Sequence, residues 1–262
     1  MGNTTMAILR KLGLPIHSST LSYLSAVTGI ALLLSLSMSE AVAAEPDLLQ
    51  PYEARYEVHR GGSQYGEAVR ELSYDATNNT YSLYTETEIS LLFLSDRRRF
   101  WSKFVLHEGK VQSQSMEYKR TGTGRDKGFA GTFDWSQQQI IDQATQQPLS
   151  LPWLAQRIDE ASHIEQLRLD VAGADNGAEL TYHVLDEKGQ ADELIYAVQA
   201  RETLRLPYGD IEAIKVVRVR ENSRRETDYW LAPELDYMLV KMTQRKDGDE
   251  VASLLLRQLL RH

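Results

Sequence analysis

From Pro51 onward the side chains change character at every second residue, and that alternation commits the chain to strands with one buried and one wet face. Tyr52, Ala54, Tyr56 and Val58 alternate with Glu53, Arg55, Glu57 and His59. The pattern returns with Tyr81, Leu83, Thr85, Thr87 and Ile89 against Ser82, Tyr84, Glu86 and Glu88, and continues through Phe100, Phe104 and Leu106. Between the runs stand Gly61-Gly62, Asn78-Asn79, Glu108-Gly109, Lys188-Gly189 and Asp247-Gly248, which supply residues that tolerate the positive φ of tight hairpins. Further strands are predicted over residues 180–185, 192–200, 211–221, 227–231, 237–244 and 251–259. Long neighbouring strands in up-and-down order twist, and the accumulated twist curls or closes the sheet. The expected fold is mainly β, a long antiparallel meander curled into a barrel or half-barrel.

One segment departs from the period of two. Leu154, Ile158, Ala161, Ile164 and Leu167 recur at helical spacing after Ser150 and Pro152, residues suited to a helix start. They predict one covering α-helix that plugs the open side of the curved sheet, with a partner-binding role as the alternative.

The first 44 residues carry an address rather than a fold. Arg10 and Lys11 precede an apolar run over residues 21–36, and Ala41-Val42-Ala43-Ala44 offers the small residues a signal peptidase needs ahead of Glu45-Pro46. Residues 1–44 therefore read as a cleaved signal peptide, cut after Ala43 or Ala44, and residues 45–262 as a single β-barrel-like domain in the periplasm. A membrane anchor is the alternative, weakened by Ser22, Ser25, Thr28, Ser35 and Ser37 within the run. The chain has no cysteine, which excludes acylation on an N-terminal Cys and any reliance on disulfides. Without Arg10, Lys11 and Glu40 the remainder holds 27 basic against 36 acidic side chains, a net of −9. That balance argues against general affinity for nucleic acid or anionic lipid.

Candidate chemistry is sparse. His59, His107, His163, His183 and His262 are scattered singly, so no metal site is assigned, and no cofactor is expected. There is no Gly-x-Ser-x-Gly elbow, and no catalytic residue is assigned. The glycines of residues 122–128 invite comparison with a phosphate loop, but the Gly-Lys-Ser/Thr ending is missing and a hairpin tip is the simpler reading. The most suggestive constellation is Leu91, Leu92, Phe93 and Leu94 beside Arg97, Arg98, Arg99 and Trp101. It reads either as a mouth for an amphiphile, with acyl chain on the apolar run and acidic head on the arginines, or as a doubly buried strand with solvated arginines outside. The charge alternation of Arg218, Arg220, Glu221, Arg224, Arg225, Glu226 and Asp228 reads as a solvated outer face or a docking surface for an envelope partner.

An ordered set of phrases adds a family resemblance. Phe100-Trp101-Ser102-Lys103-Phe104, Glu108-Gly109-Lys110-Val111, Tyr118-Lys119-Arg120 and Gly124-Arg125-Asp126-Lys127 are followed by Leu206-Pro207-Tyr208-Gly209, Val216-Val217-Arg218-Val219 and Tyr229-Trp230-Leu231-Ala232-Pro233-Glu234. Together they resemble the exported bacterial family called domain of unknown function 3108, over nearly all of the chain after the signal. The resemblance implies a predominantly β, barrel-like periplasmic protein with no enzymatic residues to carry over. Met238-Leu239-Val240 stands where the family pattern places a proline after Tyr237. The architecture is more distantly similar to the half-barrels that carry lipoproteins across the periplasm, a fold-level analogy. Three functions are therefore in play: a binding module for an amphiphilic or apolar, lipid-like ligand; a packed interaction protein that recognises another envelope protein; and, third, an envelope hydrolase.

Overall fold

The computed structural model describes residues 49–91, 94–221 and 223–261, so residues 1–48, Leu92, Phe93, Asn222 and His262 lie outside the described residues. Eight strands come first: β1 (Tyr52–Arg60), β2 (Ser63–Asp75), β3 (Thr80–Leu91), β4 (Leu94–His107), β5 (Lys110–Gly122), β6 (Lys127–Asp134), β7 (Gln139–Asp142) and β8 (Gln147–Pro148). A short strand β9 (Arg157–Asp159) leads into helix α1 (His163–Ala172). Then follow β10 (Glu179–Leu185), β11 (Ala191–Leu206), β12 (Gly209–Val219), β13 (Arg225–Ala232), β14 (Met238–Lys246) and β15 (Asp249–Arg261).

All fifteen strands belong to one sheet, in the order β8-β7-β6-β5-β4-β3-β2-β1-β15-β14-β13-β12-β11-β10-β9. Each strand pairs with its sequence neighbour except at one place, between β8 and β9, which form the two edges. The hairpin chemistry holds: Glu108 and Gly109 take φ of 52° and 72°, Asp247 and Gly248 56° and 85°, the paired positive values of a turn whose twist matches its strands. The one parallel pairing is β9 with β10, and α1 is the crossover that strands running in the same direction require.

The sheet is curled but not closed. Asp159, on edge strand β9, accepts hydrogen bonds from the hydroxyls of Ser102 on β4 at 2.7 Å and Ser113 on β5 at 2.6 Å, strands from the far side of the sheet order. Its carboxylate also accepts from the Ser162 hydroxyl at 2.6 Å and from the Ala161 and Ser162 N–H groups at 3.0 Å. One buried carboxylate thus clips the seam where ladder hydrogen bonds are missing.

Helix α1 lies within the curl. Its side chains reach Tyr52 on β1 and Arg70 on β2 through Glu165, the Val111 N–H on β5 through Gln166, Tyr196 on β11 through His163, and Tyr182 on β10 through Asp170. Leu167 and Val171 are fully enclosed with Tyr52, Ala54, Leu72 and Phe104. A smaller apolar cluster of Met116, Phe133, Ile140 and Leu185 lies beside the edge-on ring pair Trp135 and Trp153, 4.9 Å apart.

The helix differs from expectation at its start. Residues 157–159 are a strand, and α1 begins at His163. The helical spacing of Leu154 and Ile158 is coincidental, because Ile158 is buried from β9 by pairing with β10. The polar side of α1 is not wet either: His163, Glu165, Gln166 and Arg168 are all buried. An ion triad makes this possible. The Glu165 carboxylate meets Arg70 at 2.8 Å and Arg168 at 2.5 Å, and accepts from the Tyr52 hydroxyl at 2.8 Å. Burial alone would raise the Glu165 carboxyl, but Arg168 and Arg70 outweigh it and hold it below its usual value.

Candidate functional site

The strand alternation of β4 divides the constellation found in the sequence between two faces. Arg97, Arg99 and Trp101 lie on the side away from Phe100, which packs on the main core. Arg97 grips Glu86 through two nitrogens, at 2.8 and 3.0 Å, while Arg99 and the Lys119 ammonium stand 5.7 and 5.4 Å from the Trp101 ring centre. Arg98 is on the other side, paired at 2.9 Å with Asp96, which also holds Arg120 at 2.8 Å. Leu94 is 60 % exposed at the strand start. Leu91 ends β3 opposite Leu94. Arg97, Arg99 and Trp101 thus face away from Arg98, which with Tyr118 and Arg120 lines a cleft of about 280 Å³, while Leu92 and Phe93 lie outside the described residues.

The concentration of unusual chemistry lies next to that cleft, beyond the Glu187-Lys188 turn that the two share. A basin of about 350 Å³ is walled by Glu160, His163, Glu187, Tyr196, Arg218 and Tyr229, among others. The segment between β9 and α1 delivers Glu160, the first turn of α1 delivers His163, and β11, β12 and β13 deliver Tyr196, Arg218 and Tyr229. The His163 Nδ1 lies 2.5 Å from the Glu160 carbonyl oxygen, which can only accept, so the proton sits on Nδ1. Nε2 then accepts from the Tyr196 hydroxyl at 3.0 Å. Burial pulls the imidazole down to about 4, so His163 is neutral near pH 7. With both nitrogens engaged and a low basicity, it orients Tyr196 and is ill suited to take a proton from a substrate.

Glu160 is the opposite case. Burial, and then the Glu187 carboxyl beside it, push its carboxyl up to about 8, while the Glu187 N–H donates to Glu160 Oε2 at 2.9 Å. For Glu187, burial acts upward, but the hydrogen bond from Glu160 and the Lys188 charge prevail and keep it low. One proton therefore serves two carboxyls near neutral pH. Because the folded state holds the Glu160 proton that an unfolded chain would release, Glu160 costs stability as pH rises from about 4.5 to about 8. Glu160→Gln copies the protonated acid and removes that cost. Its Tm should exceed wild type by several degrees at pH 8 and match it near pH 4.5, and thermal scans at both pH values check this; equal Tm differences would contradict the shared proton. His163 imposes the opposite slope, with its stability present above about 6.5 and lost as pH falls toward about 4.

No sequence spacing marked Glu160, Tyr196 or Tyr229, since they come from distant segments. The one available signal was a histidine inside the apolar period of α1. Among the described residues no group of three His, Asp or Glu side chains could hold a metal ion, and no helix is long and apolar enough to cross a membrane.

Comparison with known proteins supports the fold. A β-barrel-like protein of the domain of unknown function DUF1849 from Brucella abortus superposes with a TM-score of 0.54 at 11 % identity, over 82 % of this chain and 98 % of that one. A DUF1089 family protein from Pseudomonas aeruginosa gives a TM-score of 0.39 at 6 % identity over 66 % of this chain and 87 % of its own. A protein with YmcC-like fold from Bacteroides fragilis gives 0.32 at 9 % identity over 81 % and 96 %. No curated protein matches the sequence. The family model of the proteins of unknown function DUF3108 matches residues 55–254, and the chain belongs to that family.

Proposed function

We propose that this protein is a non-catalytic recognition module of the periplasm, exported by its first 44 residues, which binds at the rim of its curled sheet rather than inside it. The observation that carries this reading is the place of α1: the volume where a lipid carrier would keep an acyl chain is filled by Leu167, Val171 and the Arg70, Glu165 and Arg168 triad. Charged groups at the centre of a barrel make a poor lining for hydrocarbon, since an acyl chain would leave them without the partners they need. The clefts at the surface are small and partly polar, about 280–350 Å³ for four of them, at the lower end of ligand sites and suited to a small polar molecule or a protruding side chain.

The Glu160, His163 and Tyr196 basin supports recognition over turnover, because its imidazole is neutral, doubly hydrogen-bonded and weakly basic. The test is uptake of the dye N-phenyl-1-naphthylamine, with native mass spectrometry of gently purified protein alongside. No dye fluorescence and the bare mass of the chain are expected. A lipid-sized adduct, or dye uptake reversed by fatty acid, would overturn the rim reading in favour of an apolar carrier.

A further inference from the structure

The ends of β12, β13 and β14 bring together three cations that make no ion pair with a carboxylate among the described residues. Arg225 and Lys246 stand directly opposite each other in the β13–β14 ladder, where like charges repel. Arg220, just past β12, donates from Nη1 to Thr227 Oγ1 at 3.1 Å and to the Arg225 carbonyl oxygen at 3.4 Å, both neutral acceptors. Most neighbouring carboxylates are engaged elsewhere: Asp192 with Arg218 at 2.9 Å, Glu226 with Arg245 at 3.2 Å, and Asp228 with Lys215 at 3.0 Å and with Arg245, while Asp249 stands opposite Lys246 in the β14–β15 ladder without an ion pair to it. No carboxylate among the described residues pairs with Arg220, Arg225 or Lys246. The three line a cleft of about 180 Å³ together with Thr227, Gln244 and the Glu226–Arg245 ion pair, and Arg220, Arg225 and Gln244 also wall the Glu160–His163 basin.

We infer that Arg220, Arg225 and Lys246 form an anion site for a phosphate group, with Thr227 and Gln244 as neutral donors beside it. The inference rests on the rim-binding reading and names the ligand chemistry of that rim. A phosphate monoester offers three terminal oxygens and close to two negative charges, enough to answer three cations, whereas a carboxylate answers one guanidinium fork well and leaves the rest unpaired. Burial, and then the Arg218 charge, lower the hold of the Arg220 guanidinium on its own proton. The net acidity of the chain makes this cationic rim a local exception, as steering toward a specific anion requires.

The test is thermal unfolding of the full chain in chloride buffer, with inorganic phosphate or glucose 1-phosphate added at constant ionic strength. Wild type should gain about 5–10 °C once ligand exceeds its Kd about 100-fold. The double variant Arg225→Gln, Lys246→Gln should lose that gain while starting at an equal or higher Tm without phosphate, because the opposed charges are gone; this shows that it folds. Arg257→Gln, at the exposed pair with Glu67, should keep the gain. Binding to vesicles of phosphatidic acid in phosphatidylcholine, lost in the double variant, would assign the phosphate to a lipid headgroup, and a response to glucose 1-phosphate without vesicle binding would assign it to a soluble ester. No gain with either soluble phosphate and no vesicle binding, or equal gains in wild type and the double variant, would overturn the site. Those failures leave the dye and mass measurements untouched, so they do not decide between rim and internal binding.

Discussion

Glu165→Leu should cost about 3–5 kcal/mol, the largest loss expected of any single substitution in this protein, because it strands two guanidinium groups inside the curled sheet. Arg70 and Arg168 have side chains that are 10 % and 2 % exposed, and both lean on the one carboxylate. The Tyr52 hydroxyl, which donates to that carboxylate and accepts from Arg70 Nε at 2.9 Å, would lose its acceptor as well. For a domain of this size the loss corresponds to a fall in Tm of roughly 6–20 °C. The triple variant Arg70→Met, Glu165→Leu, Arg168→Met should recover much of it, since an apolar replacement of a whole buried ion group is often neutral. Urea denaturation of the single and triple variants measures both quantities, and a single substitution costing under about 1 kcal/mol would contradict the triad. The triad also has a signed pH dependence. The depressed Glu165 carboxyl contributes stability that is complete above about 4.5 and is lost as acid protonates it in the folded state.

Asp159→Ala should be the second most damaging change, again about 3–5 kcal/mol, for a different reason. Five donors end on this carboxylate: the hydroxyls of Ser102, Ser113 and Ser162 and the N–H groups of Ala161 and Ser162. Each buried donor left unmet costs about 1–3 kcal/mol, eased where hydroxyls rotate to other acceptors. Asp159→Asn should lose less, because the amide oxygen still accepts from the backbone while hydroxyls turn to accept from its NH₂. Hydrogen exchange should show β9 and the facing part of β5 opening first in the alanine variant. Unchanged protection along β9 would mean that the seam is held by packing rather than by this carboxylate.

The strands were readable because their two signals agree. Alternation marked Tyr52, Ala54, Tyr56 and Val58 as one face, and all four are buried; the glycines at 61, 62, 109, 189 and 248 take positive φ as their turns require. The curling of the sheet followed from strand number and twist. The start of α1 was not readable, because an apolar residue at helical spacing, Ile158, is buried by strand pairing instead. Nor was its all-round burial, since Glu165, Gln166 and Arg168 look like a wet face until Arg70, Val111 N–H and Asp236 carbonyl oxygen are seen to meet them. The rim sites depend on residues from segments far apart in the chain, brought together only by the sheet order. Sequence distance hid Glu160 from Tyr196, and the charge alternation near residue 225 gave no sign that Asp228 belongs to Lys215 and Arg245 while Arg225 belongs to no carboxylate.

The pairing of β1 with β15, which sets Tyr52 against Arg261, dictates when the molecule can come together. Hairpins can zip one by one as the polypeptide emerges, but the first and last of them share no ladder until both β1 and β15 are present. Loop-closure entropy for that contact must be met before it returns any stabilisation, which makes assembly slow and late. A polypeptide with this wiring can form local hairpins early but cannot complete its central ladder until residues 249–261 are available to pair with residues 52–60.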